Sequence, residues 1–235
     1  DVMGGDHGPE SLIRGCINFI KKSTSKLILV GDEAIIKDVF EQEKFSSENV
    51  EIANTNDYIS MDDKVSRNLK KRKTSSIAIA TRLVKNGYCS GVLTVGNTGA
   101  AVLWSRLNLR KLKDIKKPAL CGVLPHANGL TFILDCGASV RTNIDALVQY
   151  AEMGEIFVSK VFGKEKPKIG LINIGKEESK GKIKVQWAHS HLKKTNLNYY
   201  GFIEGNDLAK GVVDIAVCNG FIGNVLLKYS EGMSK

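Results

Sequence analysis

Short apolar runs alternate with stretches of helical periodicity along the whole chain. Residues 27–31, 50–53, 91–95, 168–172, 199–203 and 212–218 read as strands. Between them, 33–44, 75–86, 143–162 and 183–193 carry helix-length amphipathic patterns, and Gly87 sits where a C-terminal helix glycine belongs. Runs 118–124 and 130–135 flank His126-Ala127-Asn128-Gly129, which reads as a tight turn between antiparallel strands. A further helix is expected from Val225. Strands alternating with helices predict an α/β fold: a doubly wound, three-layer arrangement, mostly parallel, with one antiparallel pair. One domain over 1–235 is expected, lacking its first strand and a C-terminal segment, because little strand precedes the first glycine turn and the last helix stops without a cap.

Four glycine-rich turns punctuate this pattern: 3–8 (MGGDHG), 96–100 (GNTGA), 173–181 (NIGKEESKG) and 219–224 (NGFIGN). Each is expected at the carboxyl end of a strand, where ligands bind in doubly wound sheets. Glycine lets backbone N–H groups approach a ligand closely, and the free amides of a helix N-terminus favour an anion. With Asn, Thr, Ser, Lys and His interleaved, the turns point to a site for phosphate or another oxyanion. Glycine also serves ordinary tight turns, and that reading stays open for each of them singly.

The chain has 235 residues, 43% of them hydrophobic, enough to bury a sizeable core. Its net charge of +9 suits nucleic acid, anionic lipid or an acidic protein partner. Nucleic acid is disfavoured, because only 7% of residues are aromatic and no recognition signature is present. The five cysteines are scattered without a C-x-x-C pair, so buried, reduced thiols in a cytosolic protein are expected rather than a zinc site. Neither a Walker A pattern nor G-x-G-x-x-G is present, and no cofactor or metal is expected.

His7 in the first turn suits donation to an anion or general-acid work, and equally a capping role. Residues 70–76 (KKRKTSS) run basic groups into a hydroxyl-rich helix start, an arrangement that holds phosphate, or else a solvated basic face. Glu178, Ser179 and Lys180 combine acid, hydroxyl and ammonium in one loop, where Lys180 can neutralise phosphate or a developing oxyanion. Asp135 ends an apolar run before Gly137 and either joins the site or caps the next element. Asp62-Asp63 reads as a helix N-terminal cap. His126, His189 and His191 are expected at the surface, the last two on different helix faces.

Together these motifs resemble the bacterial phosphate acyltransferase (PlsX) family of phospholipid synthesis. The matching stretches are 1–10, Met61-Asp62-Asp63, 70–76, 96–100, 117–125, 134–138, 173–181 and 220–225, in family order from end to end. The resemblance implies a Rossmann-like fold akin to phosphotransacylases and isocitrate-dehydrogenase-like proteins. It implies transfer of a long-chain acyl group from acyl carrier protein to inorganic phosphate. It also implies a cytoplasmic homodimer, peripheral membrane association, and a downstream glycerol-3-phosphate acyltransferase as partner. Under it, Lys180 and His7 are the expected catalytic residues. The expected substrate-binding residues are Gly5, Asp6, Gly8, Lys70, Lys73, Ser75, Ser76, Asn97, Thr98, Gly99, Asp135, Glu178, Ser179 and Asn224. Phosphate is expected among the first three turns.

The chain departs from the family pattern at Ser139-Val140-Arg141 and at Asn219, two places where the family carries aspartate, and at Lys64-Val65, where it carries proline. The two lost carboxylates keep a catalytically silent scaffold in view as one rival reading. A phosphotransacylase that uses acyl-CoA is the other.

Overall fold

The computed structural model describes residues 1–64, 67–139 and 143–233. Arg141 and Val65, at two of the departures from the family pattern, lie outside the described residues. Contacts within the chain gather into two compact units, Asp1–Arg110 and Lys111–Lys235.

In the first unit, β1 (Leu27–Gly31) and β2 (Val50–Asn54) pair in parallel, Leu27 opposite Val50 and Gly31 opposite Asn54. Helices α1 (Gly8–Ile20) and α2 (Glu33–Gln42) lay Ile13, Ile17, Ile36 and Val39 against Val2 and Leu29. That i, i+4 and i, i+3 spacing is the pattern of one buried helix face. Asp32 starts α2 by accepting the Ala34 N–H at 2.9 Å. A second cluster joins Ile77 and Ala78 of α3 (Ser76–Lys85) to Ala100 and Trp104 of α4 (Thr98–Asn108), with Ile59 and Leu69. Helix α3 ends at Lys85 with Gly87 following at φ +79°, as expected of a helix-ending glycine.

The expected strand at 91–95 does not form a ladder. Alongside it lies Asp1, whose backbone nitrogen donates to the Leu93 carbonyl at 3.0 Å and whose carboxylate accepts the Thr94 hydroxyl at 2.9 Å. One main-chain bond and one side-chain bond do not make the repeated exchange that defines paired strands.

The second unit holds five strands in the order β3-β4-β7-β5-β6. They are β3 (Cys121–His126), β4 (Gly129–Leu134), β5 (Ile169–Ile172), β6 (Tyr199–Ile203) and β7 (Ile215–Val217). The β3–β4 hairpin is antiparallel and the other pairs are parallel, so the mostly parallel α/β sheet with one antiparallel pair is observed. Helices cover both faces. Ala146, Leu147, Tyr150 and Val158 of α5 (Ile144–Phe162), with Ala188 and Leu192 of α6 (Ile183–Leu192), pack on Phe132, Leu134, Ile169, Leu171, Ile215 and Val217. On the opposite face, Leu208 of α7 (Gly205–Ala209) packs with Ile133, Ile203 and Ala216, and Ile222, Leu226 and Leu227 of α8 (Gly220–Met233) close over them. The alternation of Ile215, Ala216 and Val217 between the two layers is the period of two that a strand dictates.

Two boundaries differ from the periodicity. The run 212–218 contributes only Ile215–Val217 to the sheet, because the Val212 N–H turns back to the Asp207 carbonyl at 3.2 Å and closes the end of α7, a helix too short to leave a periodic signal. Helix α8 starts at Gly220 rather than Val225, because the Asn219 side chain accepts the Ile222 N–H at 3.0 Å and caps it. Among the described residues, no helix is long and apolar enough to cross a membrane.

Ile215 is fully buried on the middle strand, where truncation would open a cavity in the core. Ile215→Ala is expected to lower stability by about 2–5 kcal/mol. A fall in the urea midpoint at unchanged slope is the expected reading, and an unshifted midpoint would contradict it.

Candidate functional site

The first unit brings the first two glycine turns together. A Cβ placed on Gly4 would lie 2.7 Å from the Gly96 Cα, so the two backbones touch where any side chain would separate them. Beyond this contact α1 and α4 begin. His7 occupies the N-terminal flank of α1, makes no capping bond there and is exposed, as are Asp6 and Thr98. Gly5 and Gly8 shape the first turn at φ +114° and +73°, and Gly99 lies in the first turn of α4.

Asn97 is occupied within the protein. Its Oδ1 accepts the Ala100 N–H at 3.0 Å, and its Nδ2 faces the carbonyls of Ser60, Met61 and Asp63 at 3.2, 3.2 and 3.0 Å. Asp63 does not cap a helix. Its carboxylate accepts the Ser60 N–H at 2.9 Å and an Arg72 N–H at 3.2 Å. Arg72 also donates to Asp57 and to the Tyr58 carbonyl, and Thr74 donates to Asp57 at 2.8 Å, so the basic stretch is anchored through its arginine. Lys70 and Lys73 are exposed and make no ion pair among the described residues. Ser75 and Ser76 are buried, the Ser75 hydroxyl donating to the Arg72 carbonyl at 2.8 Å.

In the second unit, the fully buried Asp135 carboxylate accepts four backbone N–H groups: Leu120 at 3.1 Å, Gly137 at 3.0 Å, Ala138 at 2.8 Å and Ser139 at 2.8 Å. The first turn of α8 lies against this loop. A Cβ on Gly220 would meet the Ser139 carbonyl at 2.7 Å, and one on Gly223 would run into the Asp135 carbonyl. Asn224, exposed on α8 rather than in a loop, flanks Gly137.

The third glycine turn follows β5. Asn173 Nδ2 donates to the carbonyls of Gly175 and Lys180, each at 3.1 Å. From α6, Gln186 Nε2 faces the carbonyls of Ser179, Lys180 and Gly181 at 2.8, 3.4 and 3.1 Å. Lys176 pairs with Asp207 at 2.9 Å, and that bond holds its ammonium above its ordinary pKa. Glu178 pairs with Lys193, which holds its carboxyl below the usual range. Ser179 and Lys180 are exposed, and the Lys180 ammonium makes no ion pair among the described residues.

Three expectations are corrected. His189 is buried, not superficial: its Nδ1 lies 2.7 Å from the Tyr199 hydroxyl and its ring stacks on Phe202 at 4.1 Å. Burial lowers its pKa, Lys193 adds to the effect, and Glu178, 3.7 Å from its Nε2, opposes it. His126 is half-buried beside Gly211, whereas His191 is exposed as expected. Cys121 is exposed and Cys16 and Cys89 half-buried, leaving Cys136 and Cys218 as the buried thiols. Desolvation still pushes the Cys121 and Cys136 thiols up to about 11, so neither is a thiolate nucleophile near neutral pH. Gln186 went unmarked in the sequence, since a single neutral amide on a helix carries no motif or charge signal.

Because the folded-state pKa of His189 lies below the ordinary value of an unfolded histidine, the unfolded chain binds the proton more readily. Stability is therefore expected to fall as pH drops through about 6.5 towards the folded-state value. Urea midpoints taken near about pH 7.5 and about pH 5.5 should diverge in the parent and converge in His189→Gln. Equal divergence in both proteins would assign the effect elsewhere.

A family model described as fatty acid synthesis protein matches residues 1–235. A phosphate acyltransferase of Paraburkholderia phytofirmans is 41% identical over 237 residues, covering 100% of this chain and 64% of its own length. One from Polynucleobacter asymbioticus is 42% identical over 238 residues, covering 100% and 71%. The chain thus spans 64% of the length of the first of these relatives. Among solved structures, the EutD phosphotransacetylase of Staphylococcus aureus superposes with a TM-score of 0.66 at 13% identity, over 96% of this chain and 80% of that one. A branched-chain phosphotransacylase of Enterococcus faecalis gives 0.56 at 14%, over 97% and 81%. At such identities these two establish a shared fold. The full-length family match and the 41–42% identities settle the lineage: the chain belongs to the fatty acid synthesis protein family.

Proposed function

We propose that this chain transfers an acyl group from a thioester to inorganic phosphate, with acyl carrier protein as the donor and a long-chain acyl phosphate as the product. The observation that carries this reading is the identity of 41–42%, across the whole chain, with relatives named phosphate acyltransferase. Acyl phosphate made in this way serves phospholipid synthesis by acylating glycerol 3-phosphate.

The chemistry asks little covalent work of the protein. A phosphate oxygen attacks the thioester carbonyl carbon, and the C–O bond forms as the carbonyl oxygen takes up negative charge. Collapse of that tetrahedral intermediate breaks the C–S bond, and the thiolate leaves with the electron pair and takes a proton. Its parent thiol has a pKa of about 8.5, so departure needs no strong acid. The nucleophile is the substrate itself, and what remains for the protein is to hold an anion in place and offset developing charge.

Lys180 suits that task because its ammonium is exposed and unpaired among the described residues, whereas Lys176 and Lys193 on either side are taken by Asp207 and Glu178. In this reading Lys180 neutralises phosphate or the oxyanion, and the neighbouring Ser179 hydroxyl donates a hydrogen bond. Asp135 and Asn97, whose polar atoms are spent on main-chain groups, act by holding their loops. His7, Thr98, Lys70 and Lys73 offer exposed donors and charge for anion binding in the first unit. The net charge of +9 suits an acidic carrier protein as donor.

The test is release of free carrier protein from its palmitoyl form, with acyl phosphate trapped by hydroxylamine. Release is expected to require phosphate, and Lys180→Ala is expected to lower kcat by about 100-fold. Full turnover in the variant would remove Lys180 from the reaction. Absence of phosphate-dependent release in the parent would overturn the acyltransferase reading, and turnover with acyl-CoA alone would reassign the donor.

A further inference from the structure

We infer that Gln186 is a positioning residue: from α6 it fixes the backbone on either side of Lys180, and so sets where that ammonium meets phosphate. The inference rests on the proposed role of Lys180 and deepens it. An amide nitrogen carries two hydrogens and no acceptor, so it can only donate. Gln186 Nε2 stands where the carbonyls of Ser179, Lys180 and Gly181 converge, at 2.8, 3.4 and 3.1 Å. Its two hydrogens are therefore directed at, and shared among, three acceptors of one short loop.

Other bonds complete the restraint. Asn173 Nδ2 reaches the Lys180 carbonyl from the opposite end of the loop at 3.1 Å, and the Lys180 N–H donates to the Glu177 carbonyl at 3.0 Å. Both peptide units flanking the Lys180 Cα are thus held, while its side chain remains exposed. A flexible lysine in a flexible loop loses much of its charge advantage to conformational entropy, and fixing its base removes part of that loss. The Lys193–Glu178 pair alone would not do this, because two exposed side chains hold one another weakly. Gln186, half-buried on a helix packed into the core, is the stiffer anchor.

Gln186→Leu keeps the size and helix preference of the residue and removes only its donors. Two measurements on the whole chain separate positioning from mere stability. In the first, the phosphate KM is expected to rise by about ten-fold, beyond any modest fall in thermal midpoint that the lost hydrogen bonds bring. In the second, hydrogen exchange across 174–182 is followed with and without millimolar inorganic phosphate. Phosphate is expected to slow exchange there in the parent and to lose that effect in the variant. A residue serving only stability would lower the thermal midpoint and leave the phosphate KM and the phosphate-dependent protection unmoved, and that result overturns the inference. Should the parent release no acyl phosphate, the acyltransferase reading fails by itself. The exchange measurement then still decides: protection lost in Gln186→Leu upholds positioning, and no protection in the parent overturns it.

Discussion

The buried carboxylate of Asp135 is the constraint on which the second unit's loop architecture depends. An ionised carboxylate withdrawn from water without partners is costly, so burying one commits the surrounding chain to supplying donors. Here the main chain supplies them, through the N–H groups of Leu120, Gly137, Ala138 and Ser139. Wrapping three successive N–H groups around one side chain gives the loop after β4 a single shape. That shape leaves so little room that α8 can rest on it only with glycine at 220 and 223. The glycines read in the sequence as a ligand-cradling turn are thus explained first by helix-on-loop packing. Asn219 retains the capping function at the head of that helix, so the loss of a carboxylate there leaves the helix start intact.

The same solution recurs with the polarity reversed. Asn97, Asn173 and Gln186 use side-chain amides to collect main-chain carbonyls that no sheet or helix satisfies. Buried or half-buried loop carbonyls need such partners, and a neutral amide supplies them without adding charge to the loop. The shape of these loops is therefore set by a few side-chain amide bonds, local for Asn173 and Gln186 and distant in sequence for Asn97, rather than by ladders. Cations are divided in a corresponding way. Arg72, Lys176 and Lys193 are matched to carboxylates and serve structure, whereas Lys70, Lys73 and Lys180 make no ion pair among the described residues. Sequence shows only that lysines are present, and pairing is what separates the two groups.

Legibility followed the physics of each signal. Buried strands and long amphipathic helices were readable because their period comes from burial itself: β1, β5, β6, the β3–β4 hairpin and α5 fall where hydrophobicity puts them. Family membership was readable because turn motifs preserve identity as well as composition. Segment 91–95 misled, since an apolar run shows that a segment could pair and not that its neighbour, here Asp1, extends a ladder along it. His189 misled for a related reason. Its burial comes from Tyr199 and Phe202, a strand away in sequence, and α6 has no marked apolar face of its own to announce it.

The position of His189 also bears on how the third turn holds its geometry. The imidazole is tied to β6 through Tyr199 and Phe202, and its other nitrogen faces Glu178 at 3.7 Å. Glu178 is at the same time the partner of Lys193, the residue that follows the end of α6. A carboxylate so engaged is poorly suited to repel an incoming phosphate, because its charge is already offset locally. Of the two acidic residues in the NIGKEESKG stretch, Glu178 is thus offset, whereas Glu177 remains exposed. Lys193 and His189 draw Glu178 towards α6, so that of the loop's two lysines only Lys180 makes no ion pair among the described residues, while Glu177 stays exposed in the same loop and offsets part of its charge.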